Sequence, residues 1–146
     1  MKIVIDGDAC PAKEIIREIA IKFGVEVHVF VDSSHFFTDD FFQIHVVSKG
    51  KDAVDMALYN FMEKGDLVIT QDYGLATMAL TRSDAVINPL GFLYSSKNID
   101  ELLFKRHIGQ KARRSGHKGS KIKKRTLEND QSLARLITSL LELHKA

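Results

Sequence analysis

The sequence predicts an α/β fold in which a mostly parallel sheet of about five strands is covered by helices on both faces. Three observations carry that prediction. Short apolar runs alternate with stretches of helical periodicity over about ninety residues, the pattern of strand–helix–strand crossovers. The runs are brief, as in Ile3-Val4-Ile5 and Leu67-Val68-Ile69, and turn residues follow them. Finally, 146 residues with 45% apolar and 27% charged content suit one domain, residues 1–146, built around one core.

The elements follow in order. Residues 2–6 form the first strand. Pro11 is placed for the first helical position, where its missing N–H costs nothing, and Ile15, Ile16, Ile19, Ala20 and Phe23 follow at helical spacing until Gly24 stops the helix. Residues 25–31 alternate strictly, with Val25, Val27, Val29 and Val31 on one face, and Asp32, Ser33 and Ser34 end that strand. Phe36, Phe37, Phe41 and Phe42 surround an acidic Asp39-Asp40 pair without a clear period; a loop folding back over the sheet is expected, its rings plugging the core edge rather than stacking on bases. Residues 43–47 read as a third strand. Asp52 is the expected N-cap of a helix with Ala53, Met56, Ala57, Leu58, Phe61 and Met62 as its apolar side and Gly65 as its stop. A fourth strand at 67–71, a short helix at 75–80 and a fifth strand at 85–88, broken by Pro89 and Gly91, complete the alternation. A helix is expected over 98–107. The closing helix over 127–145 carries Leu133, Leu136, Ile137, Leu140, Leu141 and Leu143 as an apolar stripe, for the domain or for a second copy in a homodimer.

Composition narrows the classes. No apolar run approaches the roughly 20 residues a membrane helix needs, and the chain enters a strand at once without a basic and apolar leader, so a cytoplasmic location is expected. Cys10 is the only cysteine, which excludes an internal disulfide and a zinc site built of several thiolates. Six residues separate it from Arg17 where cysteine phosphatases have five, so it is expected to pack as a small apolar residue. The 6 histidines show no H-x-H or H-E-x-x-H spacing for zinc hydrolysis.

A net charge of +2 hides an asymmetry. Lys105, Arg106, Lys111, Arg113, Arg114, Lys118, Lys121, Lys123, Lys124 and Arg125 fall in a segment with no acid, leaving the rest of the chain at −8. This basic segment, 105–125, is expected to stay mobile until an acidic partner binds it, and its cations to contact nucleic-acid phosphates, those of RNA first, without reading sequence.

The candidate site is a set of aspartates. Asp6-Gly7-Asp8 places two carboxylates where the first strand gives way to a helix, and Asp72 follows the fourth strand. In a parallel sheet ligands bind outside the carboxyl ends of the strands, where strand order reverses. Asp6, Asp8 and Asp72 belong to that edge; Asp66 precedes its strand and should face the opposite one. Asp52 and Asp55 share a helix face near the same carboxyl edge. Any one of these residues has a local explanation as turn or cap. Together, Asp6, Asp8, Asp52, Asp55 and Asp72 form a crowd of charges that a divalent cation would neutralise. Oxygen-only ligation suits Mg2+ or Mn2+, and the matching chemistry is attack of an activated water on a phosphodiester.

The segments V-I-D-G-D-A-C-P, G-K-D-A-V-D, E-K-G-D-L-V-I-T-Q-D-Y-G-L-A and I-N-P-L-G together resemble the successive motifs of the bacterial YaiI/YqxD family, assigned to the PIN-like nuclease superfamily. The resemblance implies an α/β/α sandwich with a parallel sheet and an acidic magnesium or manganese site at Asp6, Asp8, Asp52, Asp55 and Asp72. Family members often carry Asn-Pro-Arg-Gly where this chain has Asn88-Pro89-Leu90-Gly91, so that arginine's phosphate contact is missing. They usually carry Gly-Pro before an acid-bearing last helix, where this chain has Gly119-Ser120 and a denser basic run before Asp130, a residue expected to cap the helix rather than join the site.

The leading expectation is therefore a metal-dependent nuclease acting on RNA or flexible single strands. A second is a haloacid-dehalogenase-type phosphatase with Asp6 as nucleophile and Asp8 as general acid, ranked lower because Thr70 is read as preceding its strand's end and no lysine is obviously placed. A third is a nucleic-acid-binding or regulatory module that keeps a cation but cleaves nothing.

Overall fold

A computed structural model describes residues 1–7, 10–48, 50–114 and 124–145. The elements are β1 (Ile3–Asp6), α1 (Lys13–Phe23), β2 (Val27–Asp32), a single tight helical turn (Ser33–His35), β3 (Gln43–Val47), α2 (Lys51–Phe61), β4 (Leu67–Ile69), α3 (Tyr73–Ala79), β5 (Val86–Asn88), β6 (Phe92–Leu93), α4 (Ser96–Arg114) and α5 (Leu127–Lys145). The strands form one sheet in the order β3-β2-β1-β4-β5-β6, parallel throughout except for the antiparallel β5–β6 pair.

Side-chain alternation along the strands divides the core into two layers. Ile3, Ile5, Val27, Val29, Val31, Leu67, Ile69 and Ile87 face α1 and α5, meeting Ile16, Ala20, Leu133, Ile137 and Leu141. Val4, Phe30, Val68 and Val86 face α2, α3 and α4, meeting Val54, Leu58, Leu75, Ala76, Ala79 and Ile99. The result is a three-layer α/β/α sandwich. Both faces of the sheet are covered, so β2 is buried along its whole length, His28 and Phe30 included, despite its alternating sequence.

Several boundaries differ from the sequence reading, each for a local reason. Pro11 lies ahead of the α1 N-cap, Ala12, rather than in the first turn. Gly50, at φ 130°, is the N-cap of α2, and Asp52 sits inside its first turn. β4 closes at Ile69, so Thr70 stands beyond the strand. A sixth strand forms because the Asn88–Gly91 turn, closed by a 2.9 Å hydrogen bond from Gly91 N to Asn88 O, sends the chain back along β5. α4 continues through Gly109 to Arg114, past the end expected at His107. Leu133, Ile137 and Leu141 of the α5 stripe are buried in the layer with α1 of the same chain and Leu136 and Leu140 pack on it, while Leu143 is exposed. Within the phenylalanine-rich loop, Phe42 is buried and Phe37 and Phe41 pack on the core, while Phe36 is exposed. Among the described residues no helix is long and apolar enough to cross a membrane.

Candidate functional site

The chain lays down β1, β2 and β3 in one direction across the sheet, then returns to the other side of β1 for β4 and β5. Strand order therefore reverses between β1 and β4, and the carboxyl ends of those two strands frame the crevice where such sheets bind ligands. Asp6 is the last residue of β1, and Thr70 and Asp72 follow β4 immediately.

Period-two alternation selects which side chains reach this edge. Two residues past the buried Val4, Val68 and Val86 come Asp6, Thr70 and Asn88, on the face that carries α2, α3 and α4. All three are buried. They are joined by hydrogen bonds, as buried polar groups must be. The Thr70 hydroxyl donates to Asp6 Oδ2 at 3.0 Å and accepts the Asp72 N–H at 3.0 Å. The Tyr94 hydroxyl donates to the Thr70 carbonyl at 2.9 Å and accepts from Asn88 Nδ2 at 2.8 Å, while Asn88 Oδ1 accepts the Leu90 N–H at 2.8 Å. Burial pushes the Tyr94 phenol up to about 12 against the opposing Asn88 bond, and the nearby Tyr73 and Asp72 add to the rise. Tyr94 thus remains a neutral donor, and Thr70 is fixed from both its side chain and its backbone.

Asp72 is the N-cap of α3, its Oδ1 accepting from Gly74 N at 2.8 Å and Leu75 N at 3.3 Å. Gly7 is required by close approach: a Cβ there would stand 2.4 Å from Val29 Cγ1 and 2.8 Å from Val31 Cγ1. A side chain at position 7 would thus lever the β1 end, and Asp6 with it, off β2. Beside this edge a groove of about 340 Å³ is lined by residues 10–15 and Asp130. The Cys10 thiol is buried and pushed up by that burial, with Lys13, Arg125 and Asp6 close enough to act on it electrostatically. It is an inert packing residue, as expected.

The predicted acids separate as follows. The Thr70 hydroxyl links the Asp6 carboxylate to the main-chain N–H of Asp72, whose own carboxylate caps α3. Asp52 is exposed in the first turn of α2 and Asp55 is half buried one turn further on. Asp8 lies outside the described residues. Among the described residues no three His, Cys, Asp or Glu side chains gather as a metal-binding group. Asp66 is at the opposite edge, as its position before β4 requires: it accepts from the N–H groups of Lys2 and Glu63 and pairs with Lys2 Nζ at 2.7 Å.

Of the basic residues, Lys105, Arg106, Lys111 and Lys124 are exposed, Arg113 and Arg114 close α4, and Lys118, Lys121 and Lys123 lie outside the described residues. Arg125, expected among the phosphate contacts, is turned inward: Nε donates to Asp130 Oδ1 and Nη1 to the Pro89 carbonyl, each at 2.6 Å. The α5 cap is made by Thr126 and Asn129, which exchange side-chain-to-backbone bonds, and not by the Asp130 side chain. Sequence reading weighed Thr70 only for the phosphatase alternative and missed Asn88 and Tyr94. The first two were detectable, two positions beyond a buried valine in adjacent strands; Tyr94 was not, because its partners depend on the β5–β6 turn.

A family model described as "Uncharacterized BCR, YaiI/YqxD family" matches residues 4–143. A UPF0178 protein of Alkaliphilus oremlandii is 46% identical over 97% of this chain and 92% of its own length. Another, of Ruminiclostridium cellulolyticum, is 44% identical over 94% of this chain and 90% of its own. A third, of Clostridium perfringens, is 42% identical over 100% of this chain and 98% of its own. No solved structure matches the chain.

Proposed function

The chain belongs to the YaiI/YqxD family, and from that premise we propose that it is a divalent-metal-dependent nuclease of PIN-like type, acting on RNA or other flexible single strands in the cytoplasm. The observation that carries this reading is the placement of Asp6 and Asp72 on one rim at the switch point of the sheet, where the Thr70 hydroxyl bonds the buried Asp6 carboxylate and the Asp72 main-chain N–H. The donor set fits a hard cation: Mg2+ is commonly held by one or two carboxylates, with water and substrate phosphate filling the remaining positions, rather than by an all-protein cage. Asp6 and Asp72 would hold Mg2+ or Mn2+, with Asp8, Asp52 and Asp55 orienting water or completing the set. Bound there, the cation would supply an activated water and neutralise charge on the phosphodiester. The groove at the amino end of α1 presents Lys13, bonded to the Cys10 carbonyl, and helix N–H groups without a side-chain cap, alongside the carboxylates of Glu14 and Asp130.

The test is cleavage of a labelled single-stranded RNA in Mn2+. Asp6→Asn and Asp72→Asn are expected to abolish it, and Asp52→Asn to reduce it. Undiminished cleavage by both Asp6→Asn and Asp72→Asn sinks the proposal. Binding by the wild type without turnover in any divalent ion would favour a non-catalytic nucleic-acid module.

One observation supports a second reading. Thr70 stands just past the end of β4 and donates to Asp6, a placement compatible with a phosphatase in which an Asp6 oxygen attacks phosphorus, the bond to the leaving oxygen breaks as Asp8 gives that oxygen its proton, and water then hydrolyses the aspartyl phosphate. Capture of a phosphate mimic on Asp6 would put this reading first.

A further inference from the structure

We propose that the outer half of α4 is a docking strip for single-stranded nucleic acid, with Phe104 as the ring on which a base stacks and Lys105, Arg106 and Lys111 as phosphate contacts. The inference shares with the nuclease reading only its substrate class. Its support lies elsewhere in the molecule. The first turns of α4 are anchored, Ile99 being buried and Leu102 packed with α3. From Leu103 to Ile108 every residue is exposed, Phe104 at 65% and Ile108 at 48%. Large apolar side chains on a helix exposed all round gain nothing from the fold, so they point to a partner.

The order of residues decides which partner. Phe104, Ile108 and Lys111 follow one another at four and then three residues, on one stripe of the helix, with His107 beside them. A membrane-surface helix gathers its apolar residues on one face and its basic residues on the opposite one; here Lys111 shares the stripe of Phe104 and Ile108, and Lys105 and Arg106 follow about 100° and 200° round the helix from Phe104, so the cations are spread about the axis. Docking strip to strip with a second copy would bring together segments in which residues 105–125 are all neutral or basic. A polyanion with exposed rings satisfies both features, its phosphates on the cations and a base on Phe104. A duplex keeps its bases stacked inside, so the fit is to a single strand. Arg125, at the far end of the basic segment, donates to the Pro89 carbonyl just beyond β5, which ties that end to the edge that carries Asp6 and Asp72.

The experiment is fluorescence anisotropy of a labelled oligouridine of about 12 nucleotides and of a duplex of equal length. It uses the full chain in EDTA, so that nothing is cut. Phe104→Ala is expected to weaken single-strand binding about tenfold, Phe104→Trp to preserve it, and neither to change duplex binding. Lys105→Gln with Arg106→Gln should reduce the slope of log affinity against log salt by about 1.4. Unchanged single-strand binding by Phe104→Ala overturns the proposal, as does equal loss on strand and duplex. It is equally overturned if Phe104→Ala instead abolishes self-association in sedimentation or binding to anionic vesicles. The two readings fail separately: Phe104-dependent binding without Asp6-dependent cleavage leaves the strip and removes the nuclease, and the converse leaves the nuclease and removes the strip.

Discussion

Individual side chains hold the loops that surround the sheet's carboxyl edge. Arg17 on α1 donates from Nη1 and Nη2 to Asp39 at 2.8 and 2.6 Å, and Asp39 in turn accepts the N–H groups of Phe41 and Phe42. This bidentate pair pins the phenylalanine-rich loop, so that Phe42 closes the core. The Arg17 guanidinium is the first cause, and the two loop N–H groups a further one, of a carboxyl held down to about 2. A carboxyl depressed on folding contributes stability above its unfolded value and loses it as pH falls through the folded one. Asp39→Asn should therefore lower the urea midpoint at neutral pH, and its gap from wild type should shrink from about pH 4 downward and close near pH 2. A gap independent of pH would assign the loop's anchoring to packing alone. The Thr70 network differs in kind. Each of its atoms is neutral or accepts a bond, so its work is to fix where Asp6 and Asp72 stand.

At the scale of elements, α5 is the one whose position the chain's local signals leave open. Its stripe of leucines and isoleucine would suit an interface between copies, but Leu133, Ile137 and Leu141 are buried against Ile16 and Ala20 of the same chain. The contact that registers α5 is the β5–β6 turn. Gly91 has φ 99°, and a Cβ there would lie 2.5 Å from Ser132 Cβ and 2.6 Å from Leu133 N. A side chain at 91 meets both an unfavourable backbone and the α5 main chain, which cannot move aside as a flexible side chain would. Gly91→Ala should cost roughly 1–3 kcal/mol of stability by chemical denaturation, while Gly24→Ala, with open space around its Cβ and φ 67°, should cost about 1 kcal/mol. Equal effects would show that strain at positive φ, and not the approach of α5, governs position 91.

For the whole molecule, charge and topology act together. An acidic body carries its carboxylates at the strand-order reversal, and a basic helix follows on from the layer beside it. A cation bound at Asp6 and Asp72 stabilises the native state alone, because those two residues lie far apart in an unfolded chain. Mn2+ at about 100 times its dissociation constant should therefore add roughly 2.7 kcal/mol to unfolding. This is readable as a rise in melting temperature that Asp6→Asn loses and Lys105→Gln keeps. A rise of the same size in both variants would place the cation away from the sheet edge.

Much of this was already legible in the chain. Alternating strands and helices gave a parallel sheet, and the end of an apolar strand placed Asp6 and Asp72 on one edge and Asp66 on the other, because a strand's direction fixes which rim its last residue reaches. Residues that act through distant partners were not legible. Thr70 looked like strand until β4 closed at Ile69, Arg125 looked like a free cation until Pro89 and Asp130 came within its reach, and Asp52 looked like a cap until Gly50 took the turn. Local periodicity is set by neighbours along the chain and can be read from it. Hydrogen bonds between segments 36 or 64 residues apart depend on how the layers pack, and only the folded molecule brings those segments together.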